Sequence, residues 1–390
     1  MARIFATLVL FSIPAFALDV LSQWVYPSRL LHPSERGPQE RTKPVLIGDI
    51  LYVANLDGTV YAFHRTEGYI LWKTKVPGGV DGSLTFARSK VFVGDTSGNL
   101  VALYARNGEV AWTFKIQSEW LSPAAISGNR VFATSSSDEL YILDEVKGTE
   151  VSHFPHRGDE KMTTRGTASP VVFGNEVYQG FADGYVVAVN ATTGRQSWSK
   201  RLRRRERFYD VDTIPPYVDE KSLIIGCYDG TVYNLDRLNG NVKWSYPVGA
   251  YSGFLVEEGR VYFSGLDGNV HALDRDLGTV IWKASYGKGV GMAPARVGEN
   301  LVVTTSGDPL LVLDPADGKI LWKTTLGTGS MSGAVGDGEG WFYALSNYGN
   351  IFSFEIRKEM KTVEGPATVP IPSALHRNRA PIIERNPVST

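Results

Sequence analysis

Two histidines three positions apart, His153 and His156, come closest in this chain to a spacing that could hold a metal ion. Imidazole nitrogens are common zinc ligands, but a zinc site needs three or four protein ligands and no third one lies near. We therefore expect a pair of loop histidines, no metal site and no bound cofactor. The chain lacks the Gly-x-Ser-x-Gly, His-Glu-x-x-His, phosphate-loop and Cys-x-x-Cys motifs, so it carries none of these catalytic signatures.

Charged side chains gather instead in two neighbouring stretches. The first reads Met162-Thr-Thr-Arg-Gly-Thr-Ala-Ser-Pro, and the second runs from Lys200-Arg-Leu-Arg-Arg-Arg-Glu-Arg into Asp210-Val-Asp. Asp210 and Asp212 alternate along an extended segment and so point the same way. Clustered arginines favour the recognition of carboxylates. The residues alone leave two interpretations open: solvated loops, or a contact surface for a charged partner.

A repeated pattern surrounds these stretches and must position them. In its clearest copies a glycine follows the marker residue by 11 positions and a tryptophan follows it by 15, and the first marker, Asp57-Gly58, predicts a two-residue hairpin turn. A period of about 42 residues with room for four strands predicts an all-β, eight-bladed propeller of four-stranded antiparallel blades. Both intervals of 46 residues contain one of the charged stretches. The markers, separated by 40, 40, 46, 46, 38, 40 and 41 residues, are Asp57, Ser97, Ser137, Asp183, Asp229, Asp267, Gly307 and Tyr348.

Tryptophan near the end of each copy has a structural explanation. A single blade cannot bury both of its faces, so a large flat side chain is expected to dock it against its neighbour. The third copy has Ser152 and the eighth Val363 at this position. Trp24 precedes the first blade, and we expect its segment to supply the outer strand of the last blade, which closes the ring. The predicted docking residues are Trp24, Trp72, Trp112, Trp198, Trp244, Trp282 and Trp322.

The ends of the chain differ from the repeats. Residues 1–17 combine a short apolar run with Ala15-Phe-Ala, which predicts a signal peptide and export. Residues 18–357 form the predicted single propeller domain, and the proline-rich residues 358–390 are predicted to be a disordered tail. The net charge of −1 argues against general binding to nucleic acid. The single cysteine, Cys227, lies in an apolar strand and is expected to be buried.

The residues now support a resemblance to known proteins. Ala188-Val-Asn-Ala-Thr-Thr-Gly-Arg-Gln-Ser-Trp is similar to the tryptophan-docking repeat of propellers related to quinoprotein dehydrogenases, which use the cofactor PQQ. Arg165-Gly-Thr-Ala-Ser-Pro and Asp210-Val-Asp-Thr-Ile-Pro resemble, more specifically, two loops of the BamB family of outer-membrane protein assembly factors. The resemblance covers about residues 20–355.

This resemblance implies a function and a contact set. It implies a non-catalytic periplasmic scaffold that binds the periplasmic domains of the barrel protein BamA and assists the insertion of β-barrel proteins into the outer membrane. Arg165, Asp210 and Asp212 would contact the BamA-like partner. Met162 and Thr164 stand where the family has leucines, and Thr164 departs from it in polarity.

Other functions remain open at this point. A PQQ-dependent dehydrogenase would share the repeats, although many alcohol-oxidising members carry an adjacent cysteine pair that this sequence lacks. A propeller that holds a periplasmic peptide or polysaccharide in its channel or at its rim is also compatible with the pattern. BamB proteins are lipoproteins anchored through an N-terminal cysteine, whereas the only cysteine here is Cys227. The expected location is therefore the periplasm, with attachment to the outer membrane through the partner.

Overall fold

The strands of this protein form four-stranded antiparallel sheets arranged in a ring. The computed structural model describes residues 16–28, 39–156, 168–202, 214–227 and 230–360. Within these ranges thirty-two strands make eight sheets, and none of the described residues is helical. The predicted eight-bladed all-β propeller is confirmed. Described residues also include no helix that is long and apolar enough to cross a membrane.

In blades 1 to 7 the chain runs from the innermost to the outermost strand through three antiparallel hairpins. The innermost strands have only two or three residues because they converge on the ring axis. Blade 8 differs, since its outermost strand comes from the N-terminal end of the described chain. The strands are, in blade 1, β2 Val45–Ile47, β3 Ile50–Ala54, β4 Thr59–His64 and β5 Ile70–Lys75; in blade 2, β6 Thr85–Ala87, β7 Lys90–Gly94, β8 Asn99–Tyr104 and β9 Val110–Lys115; in blade 3, β10 Ala125–Ser127, β11 Arg130–Thr134, β12 Glu139–Asp144 and β13 Glu150–Pro155; in blade 4, β14 Val171–Phe173, β15 Glu176–Gly180, β16 Tyr185–Asn190 and β17 Gln196–Arg201; in blade 5, β18 Tyr217–Val218, β19 Ser222–Cys227, β20 Thr231–Asp236 and β21 Val242–Tyr246; in blade 6, β22 Leu255–Glu257, β23 Arg260–Ser264, β24 Asn269–Asp274 and β25 Val280–Ser285; in blade 7, β26 Ala295–Val297, β27 Asn300–Val303, β28 Leu310–Leu313 and β29 Ile320–Thr324; and in blade 8, β30 Val335–Gly336, β31 Trp341–Leu345, β32 Asn350–Met360 and β1 Phe16–Pro27.

The first hairpin turn is longer than the sequence predicts. β3 ends at Ala54 and β4 begins at Thr59, so four residues connect them instead of two. The Gly58 amide donates to the Asn55 carbonyl at 2.9 Å, and Gly58 alone in the connection has a positive φ, +86°. A two-residue turn of the predicted kind needs positive φ at Asp57 as well. The prediction of a two-residue connection is therefore wrong, although the position of the turn is right.

Apolar side chains fill the spaces between neighbouring blades. Tyr52 and Val60 of blade 1 pack with Val91 and Val101 of blade 2 in one buried cluster. Such clusters form because each sheet buries its two faces against the sheets on either side. Cys227 is fully buried in blade 5, as its apolar surroundings in the sequence indicate.

Six of the seven predicted docking tryptophans make the same contact; the exception is Trp322, whose indole makes no hydrogen bond with another described residue. In these six, each indole Nε1 donates to a carbonyl of the following blade at 2.8–3.0 Å. Each ring also lies against a glycine three residues after that carbonyl; for example, a Cβ at Gly148 would come within 2.4 Å of Trp112. A larger residue does not fit there. The donors and acceptors are Trp24 and Arg65, Trp72 and Ala105, Trp112 and Glu145, Trp198 and Arg237, Trp244 and Arg275, and Trp282 and Pro315.

Ser152 leaves a space that a neighbouring residue fills. Ser152 pairs with Ile142 across β12 and β13, at the register position where Trp72 and Trp112 each pair with an alanine. Ile142 is buried, and its Cδ1 approaches Gly194 of the next blade. The larger aliphatic side chain thus takes up part of the volume that an indole occupies elsewhere.

The N-terminal strand closes the ring, as predicted. β1 pairs with β32 from Phe16 opposite Met360 to Pro27 opposite Asn350. The pairing register shifts once, between Ser22 and Trp24. β2 of the first blade also contacts β30 of the last. The strand begins two residues inside the predicted signal peptide, and β32 ends three residues beyond the predicted domain boundary at 357. The rest of the predicted signal peptide and of the tail lies outside the described residues.

Candidate functional site

All five predicted partner contacts lie outside the described residues. Met162, Thr164 and Arg165 belong to the connection between blades 3 and 4, and Asp210 and Asp212 belong to the connection between blades 4 and 5. The structure describes where each connection leaves one blade and enters the next. These four ends show where the two connections begin and end on the ring.

Both connections start at the same turn. The turn joins β15 to β16 in blade 4 and contains Asp183 and Gly184. His156, which follows β13, contacts Asp183 through Nε2 and Oδ2 at 2.8 Å. Leu202, which follows β17, donates its amide proton to the Gly184 carbonyl at 2.9 Å. The two connections therefore begin on the same face of the ring, on either side of one hairpin turn.

The start of the first connection is held by an aromatic stack and a hydrogen bond. The His156 ring stacks on Phe181 with 4.0 Å between ring centroids. The carboxylate of Asp183 is almost completely buried, so its contact with the imidazole compensates a group withdrawn from water. His153 lies on β13, where it contacts Glu150 at 2.8 Å, so the prediction that it is a loop residue is wrong. No group of three or more potential metal ligands occurs among the described residues.

Buried residues hold the remaining ends. Leu202 at the start of the second connection is 2% exposed, and Ala168 and Ile214, where the chain re-enters the fold, are 1% and 0% exposed. The guanidinium of Arg201 lies over the Tyr185 ring at 5.4 Å from its centroid, a favourable cation–π distance. Binding residues are commonly carried by loops that a rigid scaffold positions, and these buried ends belong to such a scaffold.

A cavity of about 740 Å³ occupies the ring axis at this same face. It is lined in every blade by residues that precede or begin the innermost strand, including Ser169 and Pro170 after the first connection and Pro215 after the second. The sequence indicated this cavity only as a general property of propellers. Its lining residues come from eight separate segments, and no local motif marks them.

Comparisons with known proteins agree with this architecture. A family model described as outer membrane protein assembly factor BamB matches residues 56–284 and 266–358. BamB of Legionella pneumophila (strain Paris) is 30% identical over 314 residues, which cover 79% of this chain and 81% of the relative. BamB of Yersinia pestis is 26% identical over 237 residues, so the match spans 56% of this chain and 60% of that relative's length.

Solved structures show the same fold. The crystal structure of BamB from Moraxella catarrhalis has a TM-score of 0.72 at 22% identity, covering 86% of this chain and 100% of that one. A quinohemoprotein alcohol dehydrogenase from Comamonas testosteroni scores 0.73 at 15% identity, covering 90% and 78%. At these identities both likenesses show a shared propeller fold alone. Because the family model matches more than half of the chain and the Legionella relative reaches 30% identity over most of it, this protein belongs to the BamB family of outer membrane protein assembly factors.

Proposed function

We propose that this protein is a non-catalytic scaffold in outer-membrane protein assembly and that it binds a BamA-like protein through the connections between blades 3 and 4 and between blades 4 and 5. Membership of the BamB family across the propeller is the observation that carries the proposal. The proposed location is the periplasm, with attachment to the outer membrane through this partner.

Charge complementarity gives the proposed contact its chemistry. Arg165 would form paired hydrogen bonds with a carboxylate of the partner, and Asp210 and Asp212 would pair with its basic side chains. Met162 would contribute apolar contact, whereas Thr164 would contribute a hydroxyl where the family has leucine. Truncating one member of a desolvated pair between proteins costs roughly 2–5 kcal/mol of binding free energy.

The described ends of the two connections support a single combined surface. His156 and Leu202 both contact the turn formed by Asp183 and Gly184. The connections are therefore neighbours at their starting points, and one partner surface can reach both. A contact that uses both connections is more specific than one that uses either alone, because both sets of charges must match.

Co-purification from envelope extracts tests the proposal. We expect the double charge reversal Arg165→Glu with Asp210→Arg to abolish recovery of the BamA-like protein. Glu67→Arg with Arg195→Glu is the matched control: both residues are exposed in turns between third and fourth strands, which lie on the opposite face of the ring. Equal recovery with the site variant and with the unmodified protein would show that the assigned contact set is wrong.

A further inference from the structure

The axial cavity combines apolar walls with very few charges. Of its lining side chains, all in the described part of the chain, only those of Arg41, Lys43 and Asp81 are charged. Arg41 and Asp81 already form an ion pair with 3.4 Å between Nη1 and Oδ2. Lys43 forms no ion pair with any described residue. Among the described residues, therefore, none compensates the positive charge that Lys43 brings to the cavity.

Local packing holds Lys43 in place. Its backbone amide donates to Ser83 Oγ at 3.1 Å, which connects blade 1 to blade 2. Its aliphatic stem runs past Gly333 of blade 8, where a Cβ would lie 3.4 Å from Cδ of the lysine. The absence of a side chain at Gly333 therefore leaves room for the stem along the cavity wall.

An ammonium group in this position is costly. Burial lowers the pKa of Lys43, because the surrounding protein replaces water around the charged form. The whole residue is partly exposed, and lysine side chains are rarely withdrawn from water without a partner. A ligand that supplies the counter-ion explains why the protein keeps a lysine at this position.

The rest of the wall indicates the body of that ligand. Leu84, Leu121, Phe254, Met292 and Met331 line the cavity with apolar and aromatic surface. A volume of about 740 Å³ lies within the range of about 300–1,000 Å³ that small-molecule sites occupy.

We propose that the axial cavity binds a small organic carboxylate, whose carboxylate group pairs with Lys43 and whose apolar body packs on the aliphatic and aromatic wall. The cavity adjoins the proposed partner contact but is lined by none of its five residues, so the proposal does not depend on that contact. It adds a small-molecule ligand to a protein whose family name describes only assembly of other proteins.

Isothermal titration with 3-phenylpropionate tests this site directly. We expect it to bind at least tenfold more tightly than the uncharged 3-phenylpropionamide, and at least tenfold more tightly than inorganic phosphate, which lacks the apolar body. Lys43→Met should abolish the preference for the acid over the amide, since methionine keeps much of the stem but not the charge. Lys323→Met, on the exposed outer strand β29, is the matched control and should bind like the unmodified protein.

Several outcomes would overturn the proposal. These are equal affinity for acid and amide, binding by Lys43→Met equal to that of the unmodified protein, phosphate binding as tight as that of the acid, or no binding by 3-phenylpropionate at millimolar concentration. A measurement without ligand adds an independent test. Lys43→Met should melt at or above the temperature of the unmodified protein, because it removes an unpaired cation. A clear loss of thermal stability would instead show that the ammonium has a structural partner, and would also refute the proposal.

Discussion

The hydrogen bond that six of the docking tryptophans donate to the next blade is expected to make a measurable contribution to stability, and Trp112→Phe isolates it. The Trp112 indole is 8% exposed and donates to the Glu145 carbonyl at 2.9 Å. Phenylalanine retains a flat apolar ring at the position but has no donor. The substitution therefore removes the bond while it keeps most of the contact with Gly148.

The expected cost follows from what the carbonyl loses. Among the described residues, no other side chain donates a hydrogen bond to the Glu145 carbonyl. A buried acceptor left without its donor costs about 1–3 kcal/mol. The smaller ring adds a loss of buried apolar surface, at about 25 cal/mol for each Å². We therefore expect Trp112→Phe to lower the free energy of unfolding by about 2–4 kcal/mol.

Trp322→Phe provides the matched control. Trp322 occupies the same repeat position in blade 7, but its indole Nε1 makes no hydrogen bond with another described residue. The same ring contraction there should cost only the apolar surface, about 1 kcal/mol or less. Urea unfolding followed by tryptophan fluorescence and circular dichroism gives both free energies of unfolding. The comparison holds when the slope of the free energy of unfolding against urea concentration is the same in each variant. Equal losses in the two variants would refute an energetic role for the hydrogen bond.

Three further predictions concern the irregular parts of the ring. Ser152→Trp alone should destabilise the protein by about 1–3 kcal/mol because Ile142 already fills part of the indole volume; adding Ile142→Ala should recover that loss in urea unfolding, and an unchanged deficit would contradict the packing argument. Deleting residues 19–27 removes most of β1 and exposes the edge of β32, so the melting temperature of the whole ring should fall and aggregation should rise; a truncated protein that melts like the parent would contradict closure by this strand. Burial lowers the pKa of His271, so below its ordinary pKa of about 6.5 the unfolded chain binds a proton that the folded chain resists. Stability should therefore fall between pH 7 and pH 5, and His271→Gln should show a smaller fall; identical pH profiles in urea unfolding would contradict this assignment.

The regular features of the chain could be predicted because they are local. Asp57-Gly58 and its counterparts mark turns through the backbone preferences of a few adjacent residues. Repetition of the markers at about 42 residues then determines the number of blades. The predicted length of the first hairpin connection was wrong, because an Asp-Gly pair is compatible with both a two-residue and a four-residue connection. The length depends on which residues of the connection take positive φ, and the sequence does not specify this.

Irregular features could be located but not explained from the sequence. Ser152 is visible as a missing tryptophan, but its compensation by Ile142 depends on a cross-strand register ten residues away. The two long connections are visible as longer intervals. Their shared starting point requires contacts of His156 with Asp183 and of Leu202 with Gly184, which residue spacing does not reveal.

By itself, the sequence determined the eight four-stranded blades and the tryptophan positions, because both depend on short-range patterns that repeat. It also indicated the closing strand, because the eighth copy lacks its tryptophan and Trp24 precedes the first blade. Tertiary structure alone decided that two connections share one turn and that Lys43 lines the axial cavity without an ion pair to any described residue. The physical reason is that the ring brings together single residues from eight separate segments. Their burial and pairing exist only once the ring is closed.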